Sequence, residues 1–291
     1  MNFKIKKFKH SLSIFVATVL ISFLGVSGCA RKDSSNKKSI TVKGSDTMVQ
    51  LMSSWAESFK KVNPAIEVSV TGGGSGTGIA ALINGTTDIC ASSREMQEKE
   101  KQQASQKNIT PKEVVVARDG LAVFVNPENP VKELTMEQIR KIYTGAYKNW
   151  REVGGPDQSI TTLSRENSSG TYVFFQEHVL NKQDYAKEVR LMTSTSAIVQ
   201  SISDEKWSIG YGGIAYALAG KVKILNVKKD DTSSAVTPSD ETVLNGTYPI
   251  ARPLYLYFKG DPKDNLKTFL DYCLSADGQK VVKEVGYITV K

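Results

Sequence analysis

The sequence predicts an α/β protein whose body is divided into two lobes with a ligand cleft between them. Three observations lead there. Strand-like and helix-like segments alternate from residue 39 onward, the order that builds sheets covered by helices. The body takes up about 250 of the 291 residues, long for one hydrophobic core and ordinary for two. Two long extended runs, 113–125 near the middle and 249–259 near the end, read as crossings between the lobes. The first lobe is then expected to hold 39–120 and 253–291, and the second 121–252.

Each element has a local reason. Ser39-Ile40-Thr41-Val42-Lys43 reads as a strand ended by Gly44. Ser45 or Asp46 can cap a helix reaching about residue 62, with Leu51, Met52, Trp55 and Phe59 on one face, and Asn63-Pro64 stops it. Residues 66–70 alternate as a second strand. A helix over 77–83 follows a glycine run and closes on Asn84-Gly85. Asp88-Ile89-Cys90-Ala91 is a short buried strand, followed by a charged helix over 97–106. After the turn Asn126-Pro127-Glu128-Asn129-Pro130, Thr135-Met136-Glu137-Gln138 has the form of a capping box for a helix reaching Tyr143. The remaining strands are expected over 160–164, 209–212 and 222–227. The remaining helices are expected over 171–180, 196–202, 263–275 and 278–285.

Three turns share one design: a run of Ser, Thr and Gly leading straight into a helix. They are Gly44-Ser45-Asp46-Thr47, Gly72-Gly73-Gly74-Ser75-Gly76-Thr77-Gly78 and Ser168-Ser169-Gly170-Thr171. Each offers free backbone N–H groups, small hydroxyls and the positive end of a helix dipole, which together suit a small oxyanion. Arg165 stands just ahead of the third turn and can grip an oxyanion with two parallel N–H bonds. Taken singly, Ser45, Asp46, Ser75 and Ser169 read as helix caps; taken together they read as one anion site. The glycine run is not a Walker motif, because no Gly-Lys-Ser/Thr follows. It is not Gly-x-Ser-x-Gly either, because Thr77 takes the last place.

Charge excludes one class of partner. The formal net charge is +8, but Lys4, Lys6, Lys7 and Lys9 and the basic stretch 31–38 carry nearly all of it. The body is close to neutral, so nucleic-acid binding has little support. The leading 28 residues combine that basic start with a mostly apolar stretch, 12–26, too short to span a bilayer stably. Val26-Ser27-Gly28-Cys29 resembles the lipobox of bacterial lipoproteins, which implies a cleaved signal peptide over 1–28 and lipidation of Cys29. Residues 29–38 read as a flexible tether. Acyl chains and a basic segment would hold the protein on the outer face of the cell membrane. Cys90 and Cys273 make no metal signature, and a disulfide and two buried thiols both remain open.

The ordered set of motifs carries a resemblance. Gly44-Ser45-Asp46-Thr47 comes first. Next are Gly73 through Gly78 with Asp88-Ile89-Cys90-Ala91-Ser92-Ser93-Arg94. Gly145 through Asn149-Trp150 and Arg165 through Ser169-Gly170-Thr171 complete it. Over essentially all of 39–291 the chain resembles the phosphate-binding proteins of bacterial ABC phosphate importers. The resemblance implies a type II periplasmic-binding-protein fold with two hinge strands, closing on inorganic phosphate and serving the membrane subunits of an ABC permease. It implies a monomer, no enzymatic activity, no cofactor and no metal.

Carried over by position, it implies contacts from Ser45, Asp46 and Thr47, from Ser75 and the backbone near Gly76, and from Ser93. Arg165, Ser168, Ser169, Gly170 and Thr171 would grip from the second lobe. Two departures stand out. Some family members carry a carboxylate where this chain has Ser93, as acceptor for the ligand's proton, and Asp46 is the candidate for that role here. Others place an Asp two residues after the arginine, where this chain has Asn167; Glu166 is then a candidate to orient Arg165.

Asp88 is expected to support the second turn, and Arg118 and Asp119 to form a local or interlobe pair at the hinge. His178, the one histidine outside the leader, is expected to pack or face solvent, and Tyr143, Tyr147, Trp150, Tyr172, Phe174 and Phe175 to pack. A secreted phosphoester hydrolase would need a metal cluster or an activated nucleophile, and neither pattern is present. The same fold tuned to sulfate or molybdate differs only in the proton-acceptor question.

Overall fold

The computed structural model describes residues 39–218 and 220–290. The expectations for the leader, the tether and Cys29 lie outside the described residues.

The chain begins with β1 (Ser39–Gly44), a 3₁₀ turn (Asp46–Met48) and α1 (Val49–Val62), then β2 (Glu67–Thr71), α2 (Ser75–Asn84), β3 (Ile89–Ser92) and α3 (Glu98–Gln106). The long β4 (Lys112–Val125) leads to β5 (Glu133–Thr135) and α4 (Met136–Tyr143). Next come β6 (Thr161–Arg165), α5 (Gly170–His178), β7 (Arg190–Met192), α6 (Thr195–Asp204), β8 (Ser208–Gly213) and β9 (Lys223–Lys228). The chain closes with α7 (Asp240–Leu244), β10 (Ala251–Phe258), α8 (Asp264–Leu274) and α9 (Ala276–Val285). Sequence reading misses β5, β7 and α7, because three to five residues are too few to show a period. Among the described residues no helix is long and apolar enough to cross a membrane.

The strands lie in the order β2-β1-β3-β10-β4-β8-β6-β7, and β9 also pairs with β4. The first half of β4 pairs antiparallel with β10, from Lys112 to Gly120. Its second half, from Leu121, turns to β8 and β9. One strand therefore serves two half-sheets, and β10 runs beside it at the join. The β4–β10 register shifts between Leu254 and Tyr255, a bulge that bends the pair near the crossing.

Strand alternation explains how each half-sheet buries both faces. In β3, Ile89 and Ala91 enter one cluster, with α1, α8 and α9, while Cys90 enters another, with α2. In β4, Leu121, Val123 and Val125 face a cluster containing Trp150 and Phe175, while Ala122 and Phe124 face α6. Each lobe thus has a core on both sides of its sheet. Cys90 and Cys273 are buried, free and in different clusters, which closes the disulfide alternative. Two segments reach across the join. Ala215, just after β8, packs in the core beside Leu254 and Tyr287; Ile288 packs in the other lobe's cluster and exchanges two backbone hydrogen bonds with Arg118.

Candidate functional site

The first turn is built by a close approach. Gly44 has φ +147°, and a Cβ there would lie 2.1 Å from the Ala91 carbonyl oxygen. Only glycine lets β1 come so near to β3 and then swing Ser45 onto that same oxygen, at 2.7 Å. Neither Ser45 nor Asp46 caps its own helix, contrary to expectation. A 3₁₀ turn intervenes, α1 starts at Val49, and both side chains are free to face the cleft. Ser45 and Thr47 are buried. Two tyrosines hold the turn's carbonyls: Tyr216 donates to Asp46 O at 2.8 Å and Tyr287 to Thr47 O at 2.7 Å. Burial pushes both phenols up from their ordinary pKa, which keeps them as donors.

The second turn starts α2 at Ser75, earlier than the sequence indicates, because Gly73 and Gly74 take positive φ angles that hold the chain out of the helix until then. Ser75 is buried, and its Oγ accepts the Ser93 N–H at 3.1 Å. The Ser45 hydroxyl donates to Ser93 Oγ at 2.9 Å, and Ser75 Oγ lies 3.4 Å from Ser93 Oγ. Three hydroxyls from three loops of one lobe meet there. A hydroxyl carries one proton, so a relay of this kind ends in a proton still free to donate.

The third turn faces them from the other lobe. Ser169 caps α5, accepting from Thr171 N–H at 3.1 Å and from Tyr172 N–H at 3.5 Å. Thr171 Oγ1 lies 2.8 Å from Thr47 Oγ1, with both side chains buried. A Cβ on Gly170 would fall 2.2 Å from Ser75 Oγ and 2.7 Å from Ser93 Oγ. The Gly76 N–H, expected near the ligand, instead donates to Ser168 O at 3.0 Å and ties the lobes together. The N-termini of α2 and α5 therefore abut, and two positive dipole ends in one dry place favour an anion between them.

Arg165 is 2% exposed and spreads over the loop before α6. Its Nε donates to Met192 O at 3.3 Å, Nη1 to Thr195 Oγ1 at 3.1 Å and Nη2 to Thr193 O at 2.9 Å. Asp46 Oδ2 stands 3.2 Å from Nη1 and accepts the Thr195 N–H at 3.2 Å. Burial pulls the Arg165 pKa down and the Asp46 charge opposes that pull. The residue facing Arg165 is thus Asp46 rather than Glu166, which is exposed, as is Asn167. Ser194 caps α6, Asp46 accepts the helix's first N–H across the cleft, and α6 brings a further helix N-terminus to the candidate site. Thr195, bonded to both Arg165 and Asp46, joins the candidate site without having been expected there; Thr193-Ser194-Thr195 ahead of a helical run was the signal available.

Other expectations fall outside the cleft or change partner. Asp88 accepts from Thr41 N–H and hydroxyl, both at 2.8 Å, and so braces β1. Asp119 pairs with Arg252 rather than Arg118, at 2.8 Å, and both are buried. His178 is stacked on Phe174 with ring centroids 4.1 Å apart.

Comparison with known proteins agrees with this geometry. Residues 30–277 match the family model described as PBP superfamily domain. The phosphate-binding protein PstS of Pseudomonas aeruginosa is 36% identical over 262 residues, covering 84% of this chain and 81% of that protein. PstS of Staphylococcus haemolyticus is 37% identical over 252 residues, covering 84% and 79%. A Clostridium perfringens protein assigned to phosphate ABC transport, crystallised with bound phosphate, superposes with a TM-score of 0.80 at 32% identity, over 87% of this chain and 100% of that one. An ABC-type phosphate transport receptor from Vibrio cholerae superposes with a TM-score of 0.70 at 32% identity, over 86% and 99%. By fold, by the paired helix N-termini at the cleft and by sequence, this chain belongs to the PBP superfamily, among the PstS-type phosphate-binding proteins.

Proposed function

We propose that the protein captures inorganic phosphate between its lobes and delivers it to the membrane subunits of an ABC permease. The observation that carries this is the meeting of Thr47 and Ser75 from one lobe with Gly170 and Thr171 from the other, beside Arg165. In this reading the hydroxyls of Ser45, Thr47, Ser75, Ser93 and Thr171 turn from one another to the ligand as it enters, each giving its one proton to it. N–H groups at the starts of α2 and α5, including those near Gly170 and Ser169, add to them. Gly76 and Ser168 act as the contact that closes the site. Arg165 supplies charge and keeps one Nη2 proton for the ligand. Asp46 accepts the proton of monohydrogen phosphate; sulfate has none to give and would face an unpaired carboxylate in a dry site.

Closure follows because only the closed arrangement brings both lobes' donors to one anion. The lobes in this reading are 39–120 with 253–291, and 121–252, hinged on β4 and β10. Cleavage after residue 28, acylation of Cys29 and the tether 29–38 would hold a monomer at the outer face of the cell membrane. Family membership sets aside the hydrolase reading.

The test is isothermal titration of the mature protein with phosphate and then with sulfate, with Arg165→Ala alongside. Phosphate should bind and sulfate should not. Arg165→Ala should lose at least about tenfold in affinity, since a charge-assisted contact is worth roughly 1.5–3 kcal/mol. It should also melt earlier, because the Met192 and Thr193 carbonyls lose their donors. Native affinity in the variant would remove Arg165 from the site.

A further inference from the structure

We infer that the buried Asp119–Arg252 pair is the positioning device that links the hinge to the anion site, with Arg252 setting Ser93 in place. This rests on the phosphate-binding reading above. Asp119 lies on β4 and Arg252 on β10, directly opposite each other in the antiparallel register where both strands pass from lobe to lobe. Arg252 Nε and Nη2 both donate to Asp119 Oδ2, at 3.0 and 2.8 Å. The pair does not stop at itself. Arg252 Nη1 donates to Ser93 O at 3.2 Å. Ser93 is the residue whose N–H donates to Ser75 Oγ and whose Oγ accepts from the Ser45 hydroxyl. Asp119 Oδ1 accepts the Ile214 N–H at 3.1 Å, at the end of β8 in the other lobe. The guanidinium also stands 5.4 Å from the Phe174 ring centroid, on the helix that carries Thr171.

One ion pair on the hinge strands thus touches the ligand loop of one lobe and two elements of the other. A buried pair needs its remaining donors and acceptors satisfied. Here they are satisfied only while Ser93 and Ile214 hold these positions relative to the hinge. Opening the cleft moves Phe174, packed in the second lobe, against Ser93, so the pair favours the closed arrangement. Two differently placed lobes sharing one network is the physical form of coupling between hinge and site.

A merely structural pair would affect stability alone, and the test separates the two. Replacing a buried ion pair by apolar residues of similar size is commonly neutral or stabilising. The double variant Asp119→Leu/Arg252→Met should therefore fold, with its melting temperature lowered only by the Ser93 carbonyl and Ile214 N–H that lose their partners. Its phosphate affinity should nonetheless fall by roughly tenfold, within the range of site-to-site couplings, and scattering should record less compaction on adding phosphate. A folded double variant with native affinity and native compaction overturns the inference. Arg252→Lys is run alongside, in case the double variant fails to fold. It keeps the charge, but one ammonium cannot reproduce the two-pronged grip on Asp119 Oδ2 and also reach Ser93 O; native affinity there is equally fatal. The unmodified protein is titrated in parallel. Its failure to bind phosphate would sink the functional reading, and the hinge comparison would then be decided with sulfate as the probe.

Discussion

One missing methyl group sets how near the lobes come. Gly170 begins α5 with an ordinary backbone angle, so alanine suits the helix there and costs no strain. The added Cβ would nevertheless stand 2.2 Å from Ser75 Oγ across the cleft. Gly170→Ala should leave the melting temperature unchanged or slightly raised. Phosphate affinity should drop by about tenfold or more, because closure carries the binding. Calorimetry and a thermal melt on the same sample check both halves. Asp46 makes the matching case for selectivity. Asp46→Asn keeps an oxygen for the Thr195 N–H at 3.2 Å and removes the negative charge beside Arg165. The amide can also donate, so sulfate should now compete with phosphate. Competition titrations that show the native exclusion of sulfate would reject Asp46 as proton acceptor.

At the scale of elements, local rules hold wherever a few adjacent residues decide. The capping box of α4 is one such place. Thr135 Oγ1 accepts from Gln138 N–H at 3.1 Å and Gln138 Oε1 accepts from Thr135 N–H at 2.8 Å. Thr135→Ala removes half of that exchange, far from the cleft. A loss of about 1 kcal/mol is expected, read as a melting point lower by roughly 2–4 °C, with native phosphate affinity. α1 shows where a local rule fails. Ser45 and Asp46 are sound caps by residue type, yet the helix begins at Val49 and both side chains turn away. The stronger competitors are Ser93, Arg165 and Thr195, all distant in sequence.

For the whole molecule, the arrangement predicts how ligand and stability are linked. The lobes meet through Thr47–Thr171, Gly76–Ser168, Asp46–Arg165 and Gln97–Glu177, all polar contacts. A ligand that bridges them binds the native state and not the unfolded chain. Phosphate at a hundredfold excess over its dissociation constant should add about 2.7 kcal/mol of stability. A melt in phosphate should therefore rise clearly above one in sulfate at equal ionic strength. Equal melting temperatures in the two salts would contradict a site closed around phosphate.

What the sequence alone determined is everything governed by neighbours along the chain. Glycine conformations, caps, strand alternation and the turn–helix pattern act over a few residues, and from them came the α/β class, the turns and the hydroxyls of Ser45, Thr47, Ser75 and Thr171. Tertiary structure alone decided which partner each charge takes. Arg165 chose Asp46 over the adjacent Glu166, and Asp119 chose Arg252, 133 residues away, over adjacent Arg118. Thr195 entered the site only because α6 packs beside β6. The reason is physical: a buried charge must find its counter-charge. Which one it finds depends on what the sheet order brings within about 3 Å of it, a distance that has no counterpart in sequence spacing.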